Sequence, residues 1–357
     1  MIHAKYDVLK KISYTLYKRY FIDAMGAMVL GLFASVIIGT IISQISQIPS
    51  FSFLEPICEL LKANSPVVGA AVGVSIATGL RASPLIIYSC AATGAIGYMT
   101  GADVGLDGTF IAAGPVGAYI SVIVGVELSR LLAGKTKFDI LILPFVTIVC
   151  GGLVGVWVGP SVAGFMRMLG DFINETTHMQ PIFMGIMVSV IVGIVHTSPI
   201  SSVALCMMMG INGVAAGAAT VGCCANMIGF AVISYKDNGL SGSLAQGLGT
   251  SMLQVPNIVK KPIIWLPSIM ASIVLGPLAT TVLVVQNNPI GAGMGTAALI
   301  GPINTFITMQ NNNNAEVMIR IIIMLFLLPA FLSWIFYFIM YRLGWIRQGD
   351  MTLPQQQ

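Results

Sequence analysis

Long apolar runs alternate with short polar stretches along this chain, and the pattern predicts helices that cross a membrane. A helix needs roughly 20 mostly apolar residues to span the hydrocarbon core. Ten runs reach or approach that length, so we predict ten crossings. The strongly apolar runs are 23–47, 138–158, 181–196, 263–285 and 318–341. The runs richer in small or polar residues are 67–79, 84–100, 109–128, 213–234 and 240–258.

The glycine-rich stretch 289–308 is apolar, but it is predicted to enter and leave the membrane on one side. If it crossed, the last run would place Arg342 and Arg347 opposite the other basic loops. A re-entrant hairpin on the outer side removes that conflict. Broken helix at membrane depth is tolerated only against protein or a watery cavity. The hairpin is therefore expected to line a path.

Basic residues predict that both chain termini lie in the cytoplasm, because Lys and Arg accumulate on cytoplasmic loops. Residues 1–22 carry five of them beside apolar residues at helical spacing, which predicts an amphipathic helix on the membrane surface. Residues 346–357 are expected to form a cytoplasmic tail. Further basic residues follow alternate runs: Arg81, Arg130, Lys135, Lys137, Lys260, Lys261, Arg342 and Arg347.

The composition excludes a soluble enzyme, a nucleic-acid-binding protein and a disordered chain. Hydrophobic residues make up 56% and charged residues 8%, whereas a soluble domain carries about 25% charged residues. Mean hydropathy is +0.91. The predicted fold class is an all-α polytopic membrane protein with about ten transmembrane helices and re-entrant hairpins. The six cysteines show no CxxC spacing, so we expect no metal and no other cofactor.

Two stretches, 79–127 and 193–233, share a pattern that favours an internal repeat. Each has a Ser-Pro pair, a short apolar helix, a glycine-containing polar turn and a helix of small residues. Interrupted segments at corresponding positions of two halves indicate a transporter site. Ser-Pro turns and glycines are also common in tightly packed membrane helices, so both interpretations stay open.

Candidate site residues lie in the second half, where polar groups interrupt the apolar segments. His196 ends an apolar run before a Ser-Pro turn and is the candidate catalytic group. A polar stripe from Gln246 to Asn257, at spacings of 4, 4 and 3 residues, either faces a hydrated cavity or joins helices. Neutral amides and hydroxyls suit a sugar, because they exchange hydrogen bonds without a fixed charge. The expected solute-binding residues are Thr197, Ser198, Asn226, Gln254, Asn257, Thr296 and Asn304.

Several segments resemble the membrane IIC proteins of the phosphotransferase system, on the branch that includes the perfringolysin regulator-like membrane proteins. They are GLRASPLIIYSCAATGAIGYMTGAD, PVGAYI, HTSPISS, VGCCANMIGFAV, GTSMLQVPNIVKKP, and GPLATTV with IGAGMGT. The resemblance covers roughly residues 15–345. It implies a multi-pass protein of the bacterial plasma membrane that is usually a homodimer. Residues 23–178 would form a scaffold with the dimer interface, and residues 179–345 would hold the sugar between re-entrant hairpins.

The resemblance also implies a separate phosphorylated IIB partner, because the chain contains no IIB domain. Better-known sugar members carry a Glu-Pro pair in a hairpin, whereas the Glu-Pro pair of this chain, Glu55-Pro56, falls in a predicted outer loop. The leading hypothesis is a permease for a small polar solute, expected to be a sugar, whose enzymatic role is at most that of a IIC component. A membrane sensor or regulator without transport, and a scaffold without a ligand, are the alternatives.

Overall fold

The fold is a bundle of helices, seen in a computed structural model that describes residues 14–62, 64–103, 110–177, 179–310 and 314–353. The first half also contains a short antiparallel pair of strands, in which Gly101 faces Ala112 and Asp103 faces Phe110. Its elements are α1 (Tyr14–Ser46), α2 (Glu55–Leu60), α3 (Pro66–Gly79), α4 (Pro84–Met99), β1 (Gly101–Asp103), β2 (Phe110–Ala112), α5 (Gly114–Leu132) and α6 (Asp139–Thr177).

The second half contains long helices interrupted by short ones. They are α7 (Pro181–Thr197), α8 (Ser202–Met208), α9 (Gly213–Ile233), α10 (Tyr235–Leu244), α11 (Val255–Lys260), α12 (Pro262–Val282), α13 (Pro289–Met294), α14 (Ile300–Met309) and α15 (Asn314–Arg342).

Local sequence explains where several of these helices begin. Proline occupies the first turn of α3, α4 and α7, where its fixed φ suits a helix and its missing N–H costs nothing. At the first turns of other helices, side-chain caps accept hydrogen bonds from backbone N–H groups that have no partner within the helix. The Ser201 hydroxyl accepts from Ala204 N at 3.2 Å, and the Asn288 side chain accepts from Gly291 N at 2.9 Å.

Six described helices are long and apolar enough to cross a membrane, namely α1, α5, α6, α9, α12 and α15. Shorter apolar helices of 10–17 residues include α3, α4 and α7. The predicted all-α polytopic class is confirmed. The first described residue, Tyr14, is already helical, so the described part of the predicted surface helix 1–22 is continuous with the first span. Residues 1–13 lie outside the described residues.

The start of α1, the end of α11 and the C-terminal residues lie together on one face, which we call the terminal face. The Tyr17 hydroxyl donates to Val259 O at 2.7 Å, and the Asn257 amide donates to Thr352 O at 2.9 Å. Glu127, near the end of α5, pairs with Arg19 on the same face. The two described chain ends are therefore on one side of the bundle.

The predicted crossing 240–258 is wrong, because this segment enters and leaves on the terminal face. Asp237 at its start accepts from Gly349 N at 3.0 Å, and Lys261 after its end pairs with Asp350. Gly239 (φ 63°) turns the chain within α10, and Thr250 is extended between two short helices. We call residues 235–260 the α10–α11 hairpin.

The stretch 289–308 is a re-entrant hairpin, as its glycines and the parity of the basic loops predict. Before it, Gln286 N donates to Met309 Sδ at 3.4 Å, so the two ends of the hairpin meet. Its limbs run side by side, since the Asn288 amide donates to Asn304 Oδ1 at 2.7 Å. The turn uses positive φ values at Gly295, Ala298 and Leu299. We call residues 289–309 the α13–α14 hairpin.

Close contacts between small residues hold α7, α9 and α12 together. Gly222 of α9 lies against the Ser189 backbone of α7, and Gly276 of α12 lies against Gly185 O. Gly193, one turn after Ser189, lies against Asn226, one turn after Gly222, so α7 and α9 run in the same direction. The chain must therefore return between them, and α8 is part of that return. Small residues at helix contacts are what lipid-embedded bundles require.

The two stretches proposed as a repeat share the order of their elements but differ in length. α4 has 16 residues, whereas its counterpart α8 has 7. The helices that follow, α5 and α9, both begin at a glycine with φ near +60°. The polar turn of the first stretch includes Asp107, which lies outside the described residues.

Candidate functional site

A cavity of about 140 Å³ lies between the two halves of the chain. Its walls combine α1 and α4 of the first half with the α7–α8 turn and both hairpins of the second. The lining is largely apolar, and none of the described residues that form it is Asp, Glu, Lys or Arg. The polar side chains on it are Thr40, Tyr98, His196, Ser201, Ser202 and Thr250.

His196 is a buried residue on this cavity, with 5% of its surface exposed. Its Nδ1 lies 3.0 Å from Gly293 O and 3.1 Å from the Ser202 hydroxyl. The Ser202 hydroxyl also donates to Gly293 O at 2.7 Å. The end of α7, the start of α8 and the α13–α14 hairpin thus meet at one imidazole ring.

This arrangement determines which ring nitrogen carries the proton in neutral His196. A carbonyl oxygen only accepts hydrogen bonds, so the contact with Gly293 requires a proton on Nδ1. Nε2 then carries the lone pair. It is buried and has no hydrogen-bond partner among the residues that the structure describes. Because buried polar groups are ordinarily satisfied, this free acceptor is an unusual feature of the fold.

The turns of the two hairpins meet beside the cavity. The Thr296 hydroxyl of the α13–α14 hairpin donates to Gly247 O of the α10–α11 hairpin. The Thr197 hydroxyl, at the end of α7, lies 2.8 Å from the Ser251 hydroxyl. Thr250, between Gly247 and Ser251 on the same turn, lines the cavity. The α10–α11 hairpin is therefore the wall between the cavity and the terminal face.

Three other expected solute-binding residues make hydrogen bonds away from the cavity. Ser198 donates back to Ile194 O at 2.8 Å and lines a neighbouring cleft between β2, α5 and α6. Asn226 donates to Gly222 O and accepts from the Trp265 indole at 2.8 Å. Asn304 joins the two limbs of its own hairpin.

The polar stripe joins elements and does not face the cavity, except at Thr250. Gln254 donates to Gln246 Oε1 at 2.8 Å and to Met351 O at 2.9 Å, and Asn257 donates to Gln254 Oε1 at 2.9 Å. Residues 345–353, which we call the C-terminal strap, supply the backbone partners. Ile346 and Met351 of the strap are 1% exposed, so these two side chains anchor the strap in the core.

Replacing Gln254 and Asn257 together by leucine is expected to destabilise the protein and to leave its solute affinity unchanged. The change removes the donors to Met351 O, Thr352 O and Gln246 Oε1. A buried polar group without a partner costs about 1–3 kcal/mol. Thermal unfolding in detergent measures the loss, and Thr281→Val, which removes an exposed hydroxyl of α12, is the control. Loss of binding in protein that remains folded would contradict this assignment.

Sequence reasoning missed the first-half side chains Thr40 and Tyr98 and the serine Ser202. Thr40 and Tyr98 border the cavity from α1 and α4, within runs that read as ordinary spans. Ser202 carried a signal, because it lies in the HTSPISS segment close to His196. Its role depends on a hydrogen bond to Gly293, which is 91 residues away, and no local sequence pattern predicts that contact.

Carboxylates lie away from His196 in the described part of the chain. Glu55 and Glu59 border a separate cleft of about 430 Å³ beside the end of α1. Glu127 and Glu316 pair with Arg19 and Arg320. No group of three or more potential metal ligands occurs among the described residues. The described cysteines are all unpaired thiols. The site thus offers one imidazole and neutral hydroxyls.

Comparison with known proteins gives one informative match. Neither the curated proteins nor the solved structures contain a match to this chain. The family model described as "Phosphotransferase system, EIIC" matches residues 22–353, which is nearly the whole chain. The matched region includes both halves, both hairpins and the C-terminal strap. The chain therefore belongs to the EIIC family and is a multi-pass membrane component of the phosphotransferase system.

Proposed function

We propose that this EIIC protein is a permease for a small neutral polar solute, namely a sugar, which binds at the cavity beside His196. The observation that carries the proposal is the buried, unpaired acceptor Nε2 of His196, a residue that lines an uncharged cavity. A solute hydroxyl would donate to it, and Thr250, Ser201 and Thr40 would supply further hydrogen bonds. A charged solute would find no counter-ion there.

The size of the cavity indicates that the solute enters by a motion of the two halves. Pockets for small molecules usually measure about 300–1,000 Å³, whereas this cavity measures about 140 Å³. Waters fit in it, but a sugar requires the walls to separate. Since the walls come from both halves, rigid-body motion of residues 179–345 against residues 23–178 would enlarge it. Alternating access in transporters with broken helices uses motion of this kind.

The α10–α11 hairpin is the proposed gate on the terminal face. It touches the α13–α14 hairpin through Thr296 and Gly247, and the C-terminal strap holds its outer part. Arg19, Arg81, Arg130, Lys261 and Arg347 lie near this face, which supports a cytoplasmic location for it and for both termini. The first half would then be the scaffold and would carry the dimer interface.

Phosphotransfer, where it is coupled to transport, would use a separate phosphorylated IIB protein at the cytoplasmic side. The solute hydroxyl would attack the phosphoryl group, and its proton would pass to Nε2 of His196. The bond between IIB and phosphorus would break as the new oxygen–phosphorus bond forms. Ser202 and Gly293 would hold the ring so that its lone pair faces the hydroxyl. General bases of this kind typically contribute about 10²–10⁴-fold.

Uptake into proteoliposomes tests the proposal. Purified protein is reconstituted and offered a panel of labelled sugars and polyols, with and without phosphorylated IIB proteins inside the vesicles. We expect uptake of at least one neutral solute above protein-free vesicles. Binding without uptake under either condition would reject the permease and support a membrane sensor. Neither binding nor uptake across the panel would reject a sugar as the solute class.

A further inference from the structure

A second, larger groove of about 740 Å³ opens on the lateral surface of the helix bundle, separate from the cavity at His196. It runs between the end of α9, the α10–α11 hairpin and the last turns of α15. Its lining is mostly apolar or aromatic. The lining residues used below are Trp334, Tyr337, Phe338 and Tyr341 of α15, with Lys236 and Arg342.

The groove combines an apolar trough with two cations at one end. Lys236 and Arg342 both line it, both are exposed, and neither has a carboxylate within 4.0 Å in the described chain. The Arg342 guanidinium lies over the Phe338 ring at 5.0 Å, which holds it against the groove.

The nearby acidic groups are already engaged by other partners. Asp237, next to Lys236 in sequence, accepts from Gly349 N and Met351 N of the C-terminal strap. Asp350 pairs with Lys261 and also accepts from Arg347 N. The charges of Lys236 and Arg342 therefore remain available to an anion that arrives from outside the protein.

The aromatic residues place this end of the groove at the membrane boundary. Trp334 stacks on Phe338 with centroids 5.7 Å apart, and Tyr337 contacts Tyr341 at the same distance. Trp and Tyr concentrate where the hydrocarbon meets the headgroups. Lys236 and Arg342 follow at the terminal face, so the cations lie at headgroup level and the trough lies at acyl-chain level.

We propose that this groove binds an anionic phospholipid from the leaflet at the terminal face. The lipid phosphate lies between Lys236 and Arg342, and one acyl chain fills the trough along Trp334 and Phe338. The two cations lie at the depth of the lipid headgroups, and the apolar trough lies at the depth of the acyl chains. This arrangement along the membrane normal matches an anionic phospholipid. Basic pockets beside membrane helices recognise anionic headgroups through this combination.

Tryptophan quenching by brominated lipids tests the site, because Trp334 lines the groove. The protein is reconstituted in phosphatidylcholine that contains a minor fraction of brominated phosphatidylglycerol, or of brominated phosphatidylcholine. The Trp334 signal is the difference between the natural protein and Trp334→Phe. We expect stronger quenching of Trp334 by the brominated anionic lipid. The double variant Lys236→Gln/Arg342→Gln should lower the preference about 25-fold, since each basic residue near anionic headgroups contributes about fivefold.

The matched control removes two positive charges elsewhere on the same face. Lys135→Gln/Lys137→Gln, in the exposed loop between α5 and α6, should keep the preference. Equal quenching by both lipids, or a preference that survives the Lys236/Arg342 change, would overturn the proposal. Inorganic phosphate that abolishes the preference at millimolar concentration would reassign the site to a soluble anion. Absence of quenching by any lipid, together with self-association that protects Trp334, would reassign the groove to a second copy of the chain.

Discussion

Replacing His196 by asparagine is expected to reduce solute uptake by at least about 100-fold while the protein remains folded. The asparagine amide reaches the position of Nδ1, so it can still donate to Gly293 O. It has no atom at the position of Nε2, the buried acceptor without a partner among the described residues. The expected loss is the lower end of what a general base contributes. Uptake into proteoliposomes and thermal unfolding are measured on the same preparation.

Two further variants separate a functional ring from a structural one. Ser198→Ala removes a neighbouring hydroxyl that bonds to its own helix and does not border the cavity, so uptake should be unchanged. His196→Ala removes both ring nitrogens and should lower stability as well as uptake. If the His196→Asn variant keeps full uptake while the His196→Ala variant loses it, His196 only joins α7 to the α13–α14 hairpin. The proposed role of Nε2 would then be wrong.

Gly222→Ala is expected to destabilise the second half by about 3 kcal/mol, at the upper end of the usual cost of overpacking. A Cβ at this position would lie 1.9 Å from Ser189 O and 2.6 Å from Ser189 C. These are backbone atoms, so the contact is relieved only if α7 and α9 move apart. α7 also carries His196, and separation of the helices would therefore disturb the site. Denaturation in detergent, followed by circular dichroism, measures the change.

Gly164→Ala is the control for that measurement. Gly164 lies within α6, and a Cβ there would have no neighbour within 4 Å. Alanine in place of glycine favours a helix by about 0.5–1 kcal/mol, so stability should stay level or rise. Equal destabilisation by both substitutions would show that glycine acts through the helix backbone and not through the close contact of α7 with α9.

The hairpins and the strap connect the fold to the proposed transport cycle. The cavity is closed on the terminal face by the α10–α11 hairpin, whose polar residues bond to the C-terminal strap. An opening motion on this face must either carry the strap along or break its hydrogen bonds. The ion pair of Lys261 with Asp350 adds to this connection. The C-terminal strap is thus attached to the hairpin that forms this wall of the site.

Hydropathy along the chain was sufficient to predict the class of fold and most spans. A long apolar run is stable in lipid as a helix, because a helix satisfies its backbone hydrogen bonds within the segment itself. The parity of the basic loops predicted a re-entrant hairpin for 289–308, because a crossing there would have placed Arg342 and Arg347 opposite the other basic loops. The segment 240–258 is the most polar of the ten predicted spans. Its two ends are tied to the strap, and hydropathy does not report that contact.

The roles of the polar residues depended on partners distant in sequence, and therefore only the tertiary structure decided them. Gln254 and Asn257 could have faced water or protein, and their partners Met351 and Thr352 lie 97 and 95 residues away. His196 was a candidate from its place at the end of an apolar run, whereas its tautomer and its free nitrogen follow from Gly293. Apolar burial in a membrane is a property of each segment, so the sequence by itself determined it. Hydrogen-bond pairing needs two segments at a defined distance, and that distance exists only once the chain has folded.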